Sequence, residues 1–205
     1  DYKLINTVAD ESQLTREKAI QMVAEAMDSR AAAVSTTGKI SRELFEYRAG
    51  SGQGHERDFL TVGSMGHASQ IALGIALSQP DRNIYCFDGD GAVLMPLGAL
   101  ATTGSMQPAN FYHILFNNGV RDSVGGQPTV GYKVDLPEVA AACGYKTVLS
   151  VDNADDLSDV LADLTDNDAP LFLEIKVKKG ARADLGRPTT TPVENKEALM
   201  DFLKR

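Results

Sequence analysis

Short apolar runs alternate along the chain with segments whose apolar residues recur every three or four positions. Between Leu14 and Met27, for example, Ile20, Val23 and Ala24 share one face at helical spacing. The apolar runs predict strands at 31–35, 59–62, 83–87, 111–116, 147–151 and 171–177. The periodic segments predict helices at 14–27, 41–47, 67–78, 94–104, 136–143, 154–164 and 195–203. Strands that are almost continuously apolar and alternate with helices favour a doubly wound, mostly parallel α/β sheet with helices on both faces.

Local signals refine these elements. Thr15 and Ser41 stand where the N-caps of the first two helices are expected. The stretch from Ala49 to Gly54 is rich in glycine and predicts a flexible loop. A chain of 205 residues suits one domain. We therefore expect residues 1–15 to be a linker or N-terminal extension and residues 16–205 to form a single domain.

Charge and composition exclude several classes of protein. The net charge is −8 and there is no basic run, so nothing indicates a nucleic-acid partner. No apolar stretch has the length of a membrane span, and the first residues lack the pattern of a signal peptide, so a cytoplasmic protein is expected. Cys86 and Cys143 both lie in apolar runs, which favours two buried free thiols over a disulfide or a metal pair. The three scattered histidines argue against a His-rich metal site.

Chemistry is expected just after the strands, because ligands of such sheets bind beyond the carboxyl ends. Asp90 stands there between Gly89 and Gly91, where glycine lets a phosphate approach the backbone closely. Asn118 follows the next apolar strand along the chain. A carboxylate, an amide oxygen and a loop carbonyl form the oxygen-only ligand set that suits Mg²⁺ bridging to phosphates. Either motif alone is weak, since an isolated Asp-Gly is usually a turn, but together they predict a site for a metal and a diphosphate.

The paired motifs resemble the signature of thiamine diphosphate-dependent decarboxylases. The same resemblance extends over most of 16–205 and rests on further segments: 37–44, 63–69, 122–129 and 186–192. Within that family the chain is most similar to the phosphonopyruvate decarboxylases, with the sulfopyruvate decarboxylases as near relatives. The resemblance implies thiamine diphosphate and Mg²⁺ as cofactors. It also implies non-oxidative decarboxylation of phosphonopyruvate to phosphonoacetaldehyde.

By the same resemblance, particular residues receive roles in binding the cofactors. Mg²⁺ would be held by Asp90, Asn118 and the backbone carbonyl of Val120. Gly91 and Ala92 would offer N–H groups to the diphosphate, with Gly89 at the same turn. Met65 would hold the cofactor bent, although a Met in an apolar gap is also ordinary packing. The full set of cofactor-binding candidates is Gly63, Ser64, Met65, Gly89, Gly91, Ala92, Asn118 and Val120.

The substrate side is less sharply defined. A phosphonate dianion needs cations, hydroxyls or amides around it. Candidates of these types are Lys39, Ser41, Arg42, Arg121, Ser123 and Gln127. His67 is the catalytic candidate, as a proton shuttle or a polar wall of the pocket, with a plain helix-start residue as the alternative.

One part of the family's active site is missing from these residues. The family activates its cofactor with a Glu on a pyrimidine-binding domain, which is fused or is supplied by another subunit. We therefore expect this chain to be the C-terminal half or a β-type subunit of an oligomeric enzyme, of identical or different chains, that is inactive alone. Two alternatives remain: a sulfopyruvate decarboxylase β-type subunit, and a non-catalytic nucleotide-binding doubly wound module.

Overall fold

Six parallel strands form the central sheet in a computed structural model that describes residues 12–205. Their spatial order is β2-β1-β3-β4-β8-β7. The strands of this sheet are β1 (Ala32–Ser35), β2 (Asp58–Leu60), β3 (Ile84–Gly89), β4 (Phe111–Asn117), β7 (Thr147–Val151) and β8 (Leu171–Lys176). A separate antiparallel pair consists of β5 (Val120–Arg121) and β6 (Gln127–Pro128). The prediction of a doubly wound, parallel sheet is confirmed.

Eight helices cover the sheet within the described residues, and no helix among them has the length and apolar character needed to cross a membrane. They are α1 (Arg16–Ala26), α2 (Lys39–Gly50), α3 (Ala68–Ser78), α4 (Asp90–Leu94), α5 (Ala99–Met106), α6 (Leu136–Ala142), α7 (Ala154–Ala162) and α8 (Pro192–Leu203). Buried residues of α1, α2 and α7 pack on one face of the sheet. Those of α3, α5, α6 and α8 pack on the other face.

The apolar pattern explains this layering. Every residue of β4 is buried, and all but the last residue of β3 and of β8 are buried. Strands covered on both faces need mostly apolar residues, which is why these segments lack the regular polar alternation of a half-exposed strand. Caps mark the helix starts: the Thr15 hydroxyl accepts from the Lys18 N–H, as predicted, and Thr191 with Glu194 forms a capping box on α8.

Three local predictions are wrong. Ser41 does not cap α2, because the helix begins at Lys39 after Gly38, and the Ser41 hydroxyl donates to the Thr36 carbonyl at 2.7 Å. The expected loop from Ala49 is shorter, since α2 continues to Gly50. The helix expected at 94–104 is split into α4 and α5, and the intervening residues form turns around Pro96, which has no N–H for a helical ladder.

Cys86 is fully buried as predicted, whereas Cys143 is only partly buried. The expected boundary after residue 15 stays a prediction, because residues 1–11 lie outside the described residues. Of the short segment that is described, Leu14 is buried in the core and the Ser12 hydroxyl donates to the Lys176 carbonyl at 3.0 Å. Residues 12–15 therefore pack on the domain.

The strand order creates a natural binding position. From β1 the chain crosses first to β2 on one side and then to β3 on the other. The connections thus diverge between β1 and β3, and a crevice opens beyond their carboxyl ends. Thr36 follows β1 at this edge and Asp90 follows β3. The loops after β1, β3 and β4 are consequently the ones to examine.

Candidate functional site

A cavity of about 180 Å³ lies at this edge of the sheet. Its walls come from the segments that follow β1, β3 and β4, with Arg16 and Met65 added from elsewhere in the chain. Both Asp90 and Asn118 line it, and so does Val120. The structure therefore brings the three predicted metal-ligating residues together around one space, although they are separated by up to 30 positions in sequence.

Asp90 is the first residue of α4, and its carboxylate is almost completely buried. The Thr129 hydroxyl donates to Oδ2 of this carboxylate. Burial raises the pKa of Asp90 to about 6, although hydrogen bonds from Thr129 and the Gly91 N–H oppose the rise. No Lys or Arg within residues 12–205 forms an ion pair with this carboxylate. A buried carboxylate without a cation favours a bound metal ion.

Two consecutive asparagines at the end of β4 have different roles. Asn117 is fully buried and donates to Glu174 at 2.8 Å and to the Gly131 carbonyl at 2.9 Å, so it fixes the surrounding loops. Asn118 lines the cavity, and its amide nitrogen donates to Asp122 at 2.8 Å. Because the nitrogen is used in that hydrogen bond, the other terminal atom of the Asn118 amide is the oxygen. This oxygen accepts from the Val120 N–H at 3.1 Å.

Asn118 is connected through Asp122 to a buried ion-pair network. Arg16 binds Glu43 with two hydrogen bonds of 2.8 and 2.9 Å and binds Asp122 at 2.9 Å. Burial raises the pKa of Glu43, while the hydrogen bonds from Arg16 lower it. Asp122 in turn accepts from Asn118. Arg16 lines the cavity, but its guanidinium is already committed to two carboxylates.

Glycine at position 91 leaves room at the start of α4. A Cβ there would lie 3.6 Å from Cγ of Arg121, so the Arg121 side chain passes directly over this turn. Gly91, Ala92 and Gly89 all line the cavity. A small turn beneath a long cation is suited to an anionic group of a ligand.

The loop that carries Met65 is packed tightly against α4. Gly66 has φ +90°, and a Cβ at this position would lie 2.4 Å from Cδ of Pro96 and 2.7 Å from the Ala92 carbonyl. A larger residue would therefore push this loop away from the cavity. Met65 lines the cavity, whereas its predicted neighbours Gly63 and Ser64 do not.

The remaining predicted residues divide into two groups. Lys39 and Ser123 line the cavity together with Arg121. Three further substrate candidates do not line it: Ser41, Arg42 and Gln127. His67 is exposed outside the cavity lining and caps α3, with Nδ1 3.2 Å from the Ser64 carbonyl oxygen. The geometry thus reduces the substrate candidates at the cavity to three, without assigning a ligand to any of them.

Sequence reasoning overlooked Thr129 and Gly131 as site residues. A Cβ at Gly131 would lie 2.6 Å from Oδ2 of Asp90, so only glycine fits beside the carboxylate. Thr129 accepts from the Gly131 N–H at 3.0 Å and donates to Asp90. The segment containing Thr129 carried part of the resemblance, but spacing alone does not show that it folds back onto Asp90.

The donor set fits the predicted cofactor group. Asp90, Asn118 and the Val120 backbone place hard oxygen donors at one cavity, as Mg²⁺ requires. Gly89 and Gly91 at the start of α4 line the same cavity, and glycine lets a phosphate approach the backbone closely. A bound Mg²⁺ ion would neutralise the Asp90 carboxylate, with which no Lys or Arg within residues 12–205 forms an ion pair.

Comparison with known families decides the affiliation. The family model described as thiamine pyrophosphate enzyme, C-terminal TPP binding domain, matches residues 37–175. The chain belongs to this family. The match begins just after β1 and ends within β8, so it includes β2, β3, β4 and β7 and excludes α1, β1 and α8. As a thiamine pyrophosphate enzyme domain, the chain has the fold that its sequence predicted.

Several relatives are similar to this domain. The phosphonopyruvate decarboxylase of Streptomyces viridochromogenes is 45% identical over 88% of the chain and 44% of its own length. That of Streptomyces hygroscopicus is 42% identical over 92% of the chain and 45% of its own length. The chain therefore spans slightly less than half the length of these two relatives. The sulfopyruvate decarboxylase subunit beta of Methanothermobacter thermautotrophicus is 35% identical over 82% of the chain and 84% of its own length.

A solved structure confirms the fold of the family. The X-ray structure of a protein from Mycobacterium smegmatis, described as a thiamin diphosphate-dependent enzyme, superimposes with a TM-score of 0.68. It is 22% identical in sequence, and the match covers 82% of this chain and 32% of that one. At this identity the likeness concerns the fold alone.

Proposed function

We propose that this chain is the diphosphate-binding half of a Mg²⁺- and thiamine diphosphate-dependent decarboxylase acting on phosphonopyruvate. The observation that carries the proposal is the 45% identity to a phosphonopyruvate decarboxylase over 88% of the chain. It is supported by the cavity, whose walls include Asp90, Asn118 and Val120. In the whole enzyme, carbon dioxide would leave the 2-oxo acid and the product would be phosphonoacetaldehyde.

The residues of this chain would bind and orient the cofactors. Asp90, Asn118 and the Val120 carbonyl would hold Mg²⁺, and Gly91 with Ala92 would receive the diphosphate. Thiamine diphosphate supplies the electron sink for decarboxylation when it is bound. Met65, on its tightly packed loop, would define the apolar wall on which the cofactor rests.

Two cations at the cavity are suited to the phosphonate. Lys39 and Arg121 both line it, and neither makes an ion pair or side-chain hydrogen bond with another described residue. Arg16 is less suited, because Glu43 and Asp122 already neutralise its charge. We infer that Lys39 and Arg121, with the Ser123 hydroxyl, recognise the anionic groups of the ligands.

A partner domain or subunit would close the site. Two large apolar side chains at the cavity are exposed: Val124 at 62% and Met95 at 51%. Met95 and Val124 line the cavity themselves. A pyrimidine-binding domain that covered them would bury this surface and would exclude water from the reaction.

Sulfopyruvate is the second candidate substrate. The sulfopyruvate decarboxylase subunit beta of Methanococcus maripaludis is 30% identical, and the match covers 94% of this chain and 100% of that subunit. In that relative, a domain of this size is a separate polypeptide beside another subunit. Identity to the phosphonopyruvate decarboxylases is nevertheless higher, which is why phosphonopyruvate is the first choice.

The test uses the native protein that contains this chain, together with its partner domain or subunit. Bound metal is removed with a chelator, and loss of phosphonopyruvate is followed after thiamine diphosphate and Mg²⁺ are added singly and together. Turnover is expected only with both. If sulfopyruvate is consumed instead, the proposed cofactor site is kept and the proposed substrate changes. If no 2-oxo acid is consumed, the proposal that the protein is a decarboxylase is contradicted.

Asp90→Asn is the decisive variant. It keeps the size of the side chain and removes the charge that the metal needs, so turnover should fall by at least about 100-fold. The matched control is Asp159→Asn, which makes the same change at an exposed residue of α7. Equal activity of both variants would remove Asp90 from the site.

A further inference from the structure

A second group of possible metal ligands is buried away from the cavity. Cys86 and Asp88 lie on the same face of β3, and His113 is the direct neighbour of Cys86 on β4. One ligand atom from each residue lies within 4.8 Å of the others. None of the three lines the cavity that holds Asp90. All three are at most 1% exposed, in the layer between the sheet and the helices that include α3 and α6.

Two atoms of this group face each other without a hydrogen-bond partner. They are Nε2 of His113 and Oδ2 of Asp88, both buried, at a separation of 3.5 Å. A charge-assisted hydrogen bond between such atoms would measure about 2.7–2.9 Å. A tetrahedral Zn²⁺ ion holds a nitrogen and an oxygen ligand about 3.4 Å apart, given bond lengths of about 2.0–2.2 Å. The separation is therefore too long for a direct bond and suits two ligands of one ion.

The other polar atom of each side chain is already engaged. Oδ1 of Asp88 accepts from the Gly89 N–H at 3.0 Å, and Nδ1 of His113 is 3.0 Å from the Tyr145 hydroxyl. In metal sites a ligating histidine almost always hydrogen-bonds through its second ring nitrogen, which fixes the orientation of the ring. Here that contact directs Nε2 towards Asp88 and Cys86.

The charge of the buried Asp88 carboxylate also favours a bound metal ion. No Lys or Arg within residues 12–205 pairs with Asp88, and its burial is costly without a compensating charge. A divalent ion with one thiolate, one carboxylate and one neutral imidazole has a net charge of zero.

We propose that Cys86, Asp88 and His113 bind a transition-metal ion of the Zn²⁺ class in the core of this domain. The sulfur and nitrogen donors favour such an ion over Mg²⁺, and a single buried water would complete the coordination. The ion would tie β3 to β4 just before the residues that line the cavity. Its role is structural, and the proposal is independent of which substrate the enzyme uses.

The test uses the whole native protein, purified without chelators from cells grown with zinc. About one zinc ion per chain should remain after exhaustive dialysis, as measured by elemental mass spectrometry. After replacement by Co²⁺, a charge-transfer band from thiolate to cobalt should be visible in the near ultraviolet. A zinc content below about a tenth of an ion per chain, with no cobalt band, would overturn the proposal and leave Asp88 and His113 as an ion pair.

Variants identify the ligand. Cys86→Ala should lose the cobalt band and most of the zinc, whereas Cys143→Ala, the matched change at the other free cysteine, should keep both. If Cys86→Ala does not fold, the metal content and band of the wild-type protein still decide the matter. Retention of the band in Cys86→Ala would overturn the assignment.

A further variant distinguishes the buried zinc site from the proposed magnesium site in the cavity. Asp90→Asn should keep the zinc and the cobalt band even though it lowers turnover by at least about 100-fold. Loss of both in Asp90→Asn would place the ion in the cavity and contradict the buried site. Failure of the decarboxylase assay, by contrast, leaves the zinc measurement unaffected.

Discussion

The Asp90 carboxylate is held by a hydroxyl rather than by a cation. Thr129 donates to it, and the same hydroxyl accepts from the Gly131 N–H, so one side chain joins the start of α4 to the loop after β6. Such a partner orients the carboxylate without neutralising it. The arrangement leaves the charge of Asp90 available to a metal ion.

Removing this hydroxyl tests the arrangement at the scale of one residue. Thr129→Val keeps the shape of the side chain but loses both hydrogen bonds, so the dissociation constant for Mg²⁺ should rise about 10–100-fold. The measurement is the Mg²⁺ dependence of turnover at saturating thiamine diphosphate. Thr129→Ser retains the hydroxyl and should restore most of the affinity, while unchanged Mg²⁺ dependence in Thr129→Val would show that Asp90 needs no such partner.

At the scale of elements, close contacts fix the helices against each other and against the sheet. Gly104 in α5 allows the backbone after α6 to approach closely, and a Cβ there would lie 1.8 Å from the Cys143 carbonyl oxygen. At the other edge, Asn195 of α8 donates to the Asp58 carbonyl at 2.7 Å and accepts from the Leu60 N–H at 2.8 Å. It therefore pairs with β2 as a neighbouring strand would, and it covers the exposed side of the sheet.

The close approach at Gly104 gives an element-scale prediction. Gly104→Ala should lower the free energy of unfolding by about 1–3 kcal/mol or more, because backbone rather than a flexible side chain must move. Gly74→Ala is the matched control, since Gly74 lies in α3 and a Cβ there meets nothing within 4 Å. That control should be neutral or stabilising by up to about 1 kcal/mol. Denaturant unfolding measures both, and equal values would show that α5 and α6 are not in tight contact.

At the scale of the whole molecule, charged side chains from segments that are distant in sequence lie together beside the cavity. Arg16 on α1 reaches Glu43 on α2 and Asp122 after β5, and Asp122 reaches Asn118 after β4. Three parts of the chain thus share one buried network beside the proposed metal position. A ligand that binds there should stabilise the folded domain as a unit.

Thermal unfolding of the native protein tests this expectation. With thiamine diphosphate and Mg²⁺ together at about 100 times their dissociation constants, stability should rise by about 2.7 kcal/mol. The melting temperature should then increase by several degrees, and either component alone should have a much smaller effect, because the metal joins the diphosphate to an acidic site. The Asp90→Asn protein should show no such increase, and a full increase with thiamine diphosphate alone would argue against the metal bridge.

Much of the fold followed from local pattern. Buried parallel strands need uninterrupted apolar residues and helices need a repeat near 3.6, so the strands and most helices were predictable from neighbouring residues. The break between α4 and α5 was missed because the apolar repeat continues through Pro96. The end of α2 was missed because the last turn is anchored by the buried Arg48, whose ion pair with Asp58 is a contact that local pattern does not reveal.

The candidate site was only partly predictable. Asp90 and Asn118 could be paired from sequence because each follows a strand, and the ends of parallel strands meet at one edge. Three contacts became visible only in the tertiary structure. Thr129 donates to Asp90, and His113 is the neighbour of Cys86. Arg16 is neutralised by Glu43 and Asp122. These contacts join residues between 27 and 106 positions apart, and no local periodicity encodes distances of that kind. Strand register and loop packing decide them, because only the folded sheet determines which side chains become neighbours.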